Sequence, residues 1–165
     1  MDPRYNHLES EEKIYSLWEQ SGLFNPDCLP KQSVLSGAKD LRKKTKKFSI
    51  IMPPPNANGA LHIGHALFVT LEDIMIRFNR MRGAKTLWLP GADHAGFETQ
   101  TVYDKKLEKE GKNRFQIPRE ELYKEMYEFS MENKKTMENQ LKKLGASCDW
   151  SREKFTLDPE IVTEV

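Results

Sequence analysis

The sequence predicts an α/β protein built on a parallel sheet, with one helix before the sheet and a long helix after it. Three observations carry this. Phe48-Ser49-Ile50-Ile51-Met52 and Lys85-Thr86-Leu87-Trp88-Leu89 are short apolar runs followed by proline, the pattern of buried strands. Between them, residues 63–82 interleave Leu67, Leu71, Ile74, Ile76, Phe78 and Met81 with Glu72, Asp73, Arg77 and Arg80, the pattern of a helix. Strand, helix and strand in that order make a βαβ unit, whose two strands run parallel with a right-handed crossover.

The flanking elements follow from the same signals. Residues 8–21 alternate helically, with Leu8, Ile14, Leu17 and Trp18 near one face and Gly22 as the stop. Residues 25–38 contain Pro26, Pro30 and Gly37 and read as a surface connection. The basic run from Lys39 to Lys47 is a solvated approach to the first strand or a phosphate-facing patch near an RNA. After the second strand come a helix over about 97–110 stopped by Gly111 and a long helix from Pro118 to Leu144 stopped by Gly145. Leu122, Met126, Phe129, Met137, Leu141 and Leu144 stripe that helix, and it needs a surface to lie against. Its Lys134, Lys135, Lys142 and Lys143 form a solvated face or an RNA contact. A single parallel pair is a poor sheet, and no closing element follows it, so the chain reads as part of a longer protein.

Composition limits the class. The chain has 165 residues, a net charge of +1, 38% hydrophobic and 31% charged residues, a folded and water-compatible balance. No apolar run approaches the roughly 18 residues of a membrane span, and the start lacks the pattern of a signal peptide. Cys28 and Cys148 lie far apart in polar surroundings, which reads as a reduced, cytoplasmic protein.

Chemistry concentrates in the loop Pro53-Pro54-Pro55-Asn56-Ala57-Asn58-Gly59-Ala60-Leu61-His62-Ile63-Gly64-His65. It lies at the carboxyl end of a parallel strand and the amino end of a helix, where open α/β sheets bind ligands and helix N–H groups attract anions. His62 and His65 share a helix face, and two donors aimed at one point suit a phosphate whose charge grows in a transition state. Gly64, without a Cβ, lets a flat ring such as adenine pack on the backbone. Other readings of the pair remain: unrelated surface histidines, or metal ligands with Asp93 or His94 as a third. The chain has neither a Walker pattern nor a Gly-x-Gly-x-x-Gly.

Pro54-Pro55-Asn56, Gly59 and His62-Ile63-Gly64-His65 after an apolar strand resemble the signature of class I aminoacyl-tRNA synthetases. Leu89-Pro90-Gly91-Ala92-Asp93-His94-Ala95-Gly96-Phe97-Glu98-Thr99-Gln100 resembles the corresponding segment of the valyl-tRNA synthetases. Isoleucine enzymes carry Trp-Asp-Cys-His-Gly there, and leucine enzymes Trp-Asp-Ala-Phe-Gly. Leu144 to Glu153 is similar to the stretch by which valine enzymes enter their editing insertion. Two features depart from the valine pattern: Ala57-Asn58-Gly59 is closer to the isoleucine enzymes, and Ala92 stands in place of a threonine.

The resemblance implies the first half of a Rossmann-like catalytic domain at residues 46–111. Residues 1–45 would be an N-terminal helix and basic connection, and residues 112–165 a helical segment leading to the editing insertion. It also implies valine, ATP with Mg2+ and tRNA(Val) as partners of a monomeric, cytoplasmic ligase, with no protein-bound zinc in this segment. In that frame His62 and His65 contact the ATP phosphates, Gly59 and Gly64 belong to the ATP site, Asn56 and Asp93 hold the valine α-ammonium, and Pro53 and Pro54 form the wall against its side chain. The residues alone also allow a small free-standing nucleotidyltransferase, or a binding module without turnover. The family's second signature loop, Lys-Met-Ser-Lys-Ser, does not occur in this chain.

Overall fold

A computed structural model of the chain describes residues 5–28 and 46–163. The basic residues 39–44 and the connection with Pro30 and Gly37 lie outside the described residues. The chain divides into two compact units. The first comprises Met1–Met52, Ala66–Pro90 and Leu141–Glu153; the second comprises Pro53–His65, Gly91–Gln140 and Lys154–Val165.

The first unit holds the expected βαβ core. β1 (Lys47–Ile51) pairs in parallel with β2 (Lys85–Leu89), Lys47 opposite Lys85 and Ile51 opposite Leu89, with α2 (Ile63–Met81) in the crossover. β1 starts one residue earlier than the apolar run suggests. Met52 stays buried and donates its N–H to Leu89 O at 2.9 Å, so the ladder runs to the edge of the prolines.

Of the apolar residues that mark α2 in the sequence, the structure buries Ile76. Val69 and Ile76, seven residues apart, are the buried pair, while Leu67, Leu71, Ile74, Phe78 and Met81 are exposed. Polar residues share the packed side. Fully buried Trp88 donates its indole N–H to Glu72 at 2.9 Å. Burial raises the Glu72 carboxyl above its usual range, and the indole bond opposes that. Arg77 pairs with Asp73 at 2.5 Å and donates to Gly145 O at 2.7 Å. Arg80 donates to Thr86 Oγ1 at 3.1 Å and to Ser147 O at 2.7 Å. The Glu72 and Asp73 carboxylates and the Gly145 and Ser147 carbonyls thereby receive donors, which offsets the cost of their partial burial. These bonds bring the 145–149 segment beside β2, where Asp149 donates its N–H to Trp88 O at 3.0 Å.

α1 (His7–Gln20) is also differently buried than expected. Tyr15 is its buried residue, donating to Ala146 O at 2.7 Å and accepting from Trp150 Nε1 at 2.7 Å, whereas Leu8 and Leu17 are exposed. Burial pushes the Tyr15 hydroxyl pKa well above its ordinary value, so it remains a donor. The glycines expected to end helices, Gly22, Gly83, Gly111 and Gly145, all take positive φ, between +69° and +85°. That left-handed conformation is open to glycine at little steric cost, and it turns the chain out of the helix.

The second unit contains a parallel pair absent from the sequence reading: β3 (Gly91–Ala92) beside β4 (Lys154–Phe155). Ala57, Ala92, Met137 and Phe155 form its buried cluster, with Leu61 and Leu157 against it. α3 (Gly96–Lys109) and α4 (Arg119–Lys143) contribute a second contact, where Tyr103 and Phe129 meet edge to face at 5.3 Å and the Tyr103 hydroxyl donates to Glu125 at 2.7 Å. α4 thus finds the surface it needs, Phe129 packing on Tyr103 and Met137 on Ala57, Ala92 and Phe155, while Leu144 lies past its end and is half exposed. α5 (Pro159–Val162) ends the described chain. No helix among the described residues is long and apolar enough to cross a membrane.

Candidate active site

The sequence-predicted site residues all fall in the second unit. The proline run leaves Pro53 and Pro54 exposed and buries Pro55; Pro54 faces Gly91, where a Cβ would stand 3.8 Å from its own. Proline cannot extend the β1 ladder, so the chain leaves the sheet here. Asn56 then forms an isolated parallel bridge with Asp93. Asp93 donates its N–H to Pro55 O at 2.9 Å, and Ala57 donates its N–H to Asp93 O at 2.7 Å. The loop grips the Asp93 backbone from both sides. Leu61 N–H, donating to Gln140 Oε1 at 2.8 Å, ties the loop's far end to α4.

The histidine pair forms a reciprocal cap on α2. His62 precedes the first helical residue, and its Nδ1 accepts the Gly64 N–H at 3.1 Å. His65 Nδ1 accepts the His62 N–H at 3.2 Å. This is the logic of a capping box, with imidazoles in place of a hydroxyl and a carboxylate. The rings lie 4.0 Å apart at 54°. Because both Nδ1 atoms accept, the pattern assigns each neutral ring its proton on Nε2, as a donor. Burial, and then the neighbouring His62, hold the His65 pKa below its ordinary value, so His65 is neutral at pH 7.

Gly64 has a structural reason that its expected contact with adenine did not include. A Cβ there would stand 2.9 Å from Cε1 and 3.0 Å from Nδ1 of His62, closer than side chains allow. Gly59 has nothing within 4 Å of a would-be Cβ, so that space is open.

Asp93 opens the third part of the site. Its Oδ1 accepts the Ala95 N–H at 3.1 Å, closing a turn before α3, and the Thr156 hydroxyl at 3.0 Å. His94 donates its backbone N–H to Thr156 Oγ1 at 2.8 Å, and its Nδ1 lies 2.6 Å from the same oxygen. Ala95 takes a left-handed φ of 49°, uncommon for a residue with a Cβ. Thr99 holds the turn by donating to His94 O at 2.5 Å. Sequence reasoning missed Thr156, Gln140 and the Ala95 turn. Thr156 lies 63 residues from Asp93, with no periodicity or motif linking the two.

Among the described residues, no three His, Cys, Asp or Glu side chains are arranged to hold a metal ion. His62 and His65 are together, and Asn56 and Asp93 are together. Residues 13–165 match the model of the tRNA synthetases class I (I, L, M and V). The chain belongs to the class I tRNA synthetases. Among curated class I synthetases, this chain is 51% identical over 154 residues to a chloroplastic/mitochondrial valine–tRNA ligase of Arabidopsis thaliana, covering 93% of the chain and 14% of that protein. It is 47% identical over 165 residues to the valine–tRNA ligase of Dehalococcoides mccartyi, covering all of the chain and 17% of the relative. It is 44% identical over 160 residues to that of Treponema denticola, covering 96% and 16%. The chain therefore spans about a sixth of the length of these relatives. The LeuRS of Agrobacterium radiobacter K84, solved in a ternary complex with tRNA and LeuAMS, shares the fold at a TM-score of 0.69 and 21% identity, over 96% of this chain and 17% of that one.

Proposed function

We propose that this chain carries the first half of the adenylation site of a valine–tRNA ligase. In the complete protein, the valine carboxylate attacks the α-phosphorus of ATP, pyrophosphate leaves, and the valyl group of valyl-adenylate then passes to tRNA(Val) with release of AMP. The observation that carries the reading is the identity of 44–51% to valine–tRNA ligases over at least 93% of the chain. The paired Asn56–Asp93 bridge and the imidazole cap support it.

His62 and His65 present Nε2–H donors to the ATP phosphates, where negative charge on the oxygens increases as the pentavalent α-phosphorus forms; Mg2+ arrives with the nucleotide. Donors preorganised for that charge stabilise the transition state more than the ground state. Gly59 leaves open space for the nucleotide beside the backbone, and Gly64 belongs to the same ATP site by letting the His62 ring pack against the helix start. Asp93 supplies a charge-assisted bond to the valine α-ammonium, with Asn56 beside it. Exposed Pro53 and Pro54 form the rigid wall that turns away larger side chains. A hydroxyl of similar shape, as in threonine, is rejected only about a hundredfold by such a wall, so the complete enzyme needs editing. The free thiols of Cys28 and Cys148 fit a reducing cytoplasm, with the enzyme acting as a monomer. Amino-acid-dependent pyrophosphate exchange by the complete protein tests the proposal. Valine is expected to stimulate exchange and isoleucine to do so weakly; preferential stimulation by isoleucine would overturn it.

A further inference from the structure

We infer that Thr156 is a positioning residue for the amino-acid site: its one hydroxyl orients the Asp93 carboxylate and sets the tautomer of His94. The inference rests on the proposed role of Asp93 in holding the substrate ammonium.

The hydroxyl has one proton and three polar neighbours. They are Asp93 Oδ1 at 3.0 Å, the His94 backbone N–H at 2.8 Å and His94 Nδ1 at 2.6 Å. The backbone N–H can only donate. An ionised carboxylate can only accept, so the hydroxyl proton goes to Asp93. His94 Nδ1 then has to donate as well, which makes the neutral ring an Nδ1–H imidazole with its lone pair on Nε2. The opposite tautomer would leave the hydroxyl oxygen against the Asp93 oxygen with no proton between them.

His94 is thus opposite in tautomer to His62 and His65, whose Nδ1 atoms accept. Asp93 is divided as well. Oδ1 takes both the Ala95 N–H and the Thr156 hydroxyl, and none of the donors among the described residues reaches Oδ2. One oxygen anchors the side chain, and the other is available to a cationic ligand. Thr156 directly follows β4, whose pairing with β3 brings it beside Asp93.

The test compares Thr156→Val and Thr156→Ser in the complete ligase by pyrophosphate exchange, varying valine and ATP separately. A hydrogen bond to a charged group is worth about tenfold in binding or more. Thr156→Val is expected to raise the valine KM about tenfold with the ATP KM changed less than about twofold, and Thr156→Ser to restore the valine KM. In an Asp93→Asn background, Thr156→Val should add little, since its effect passes through that carboxylate. Equal changes in both KM values, no change, or an undiminished effect beside Asp93→Asn would overturn the inference. Should Thr156→Val fail to fold, long-range 1H–15N spectra of the histidine-labelled wild type decide: Nδ1–H at His94 supports the inference and Nε2–H overturns it. A wild type that exchanges with another amino acid overturns the valine reading alone, and the same KM comparison is then made with that amino acid.

Discussion

Replacing Gly64 with alanine would drive a Cβ into the ring of His62, at 2.9 Å from Cε1 and 3.0 Å from Nδ1. Carbon atoms in ordinary contact stand about 3.5–4.0 Å apart, so the ring has to move by about half an ångström or more. That movement breaks the 3.1 Å bond from the Gly64 N–H to His62 Nδ1, which is half of the α2 cap. Losing an N-terminal cap costs about 1 kcal/mol, while alanine for glycine within a helix gains about 0.5–1 kcal/mol. The two nearly cancel, so the melting temperature should barely change. Catalysis has no such compensation. Removing one preorganised donor costs about 100- to 1,000-fold in kcat, and displacing it should cost at least about tenfold. The assay is pyrophosphate exchange at saturating valine and ATP, beside a thermal melt. A folded Gly64→Ala protein with wild-type kcat would refute the link between the bare backbone and the imidazole.

Other outcomes follow from the same geometry. His65→Ala should lower the adenylation kcat far more than it raises the valine KM, measured by exchange; an equal loss in both would argue against a transition-state role. His65 has a folded pKa below its unfolded value of about 6.5, so its neutral form contributes stability that is complete above that value and declines as pH falls through the lower folded pKa. Amide exchange at residues 62–65 should therefore rise as pH drops below about 6.5, after correction for intrinsic rates, and His65→Asn should remove that dependence. Met137→Ala opens a cavity in the cluster with Ala57, Ala92 and Phe155 and should cost about 2–5 kcal/mol in urea unfolding; a loss under about 1 kcal/mol would mean that the cluster is not a core.

Features governed by neighbours in the chain were legible in the sequence. The prolines after β1 and β2, the helical period of residues 63–82, and the four helix-ending glycines act within a few residues, so composition and spacing report them directly. The histidine spacing was legible as well, although which nitrogen carries each proton was not. Tertiary structure decided the rest. Tyr15, rather than Leu8 or Leu17, is buried on α1, and on α2 Val69 is buried beside Ile76 while Leu67 and Leu71 are exposed. Periodicity reveals a helix but not which of its apolar residues meets a partner. β3 and β4 have two residues each, too short for any repeat to register. Thr156 meets Asp93 across 63 residues of chain, and Gly64 owes its contact to the way the His62 ring folds back over it. Local propensity decides which element forms; only packing between distant segments decides which atoms those elements bring together.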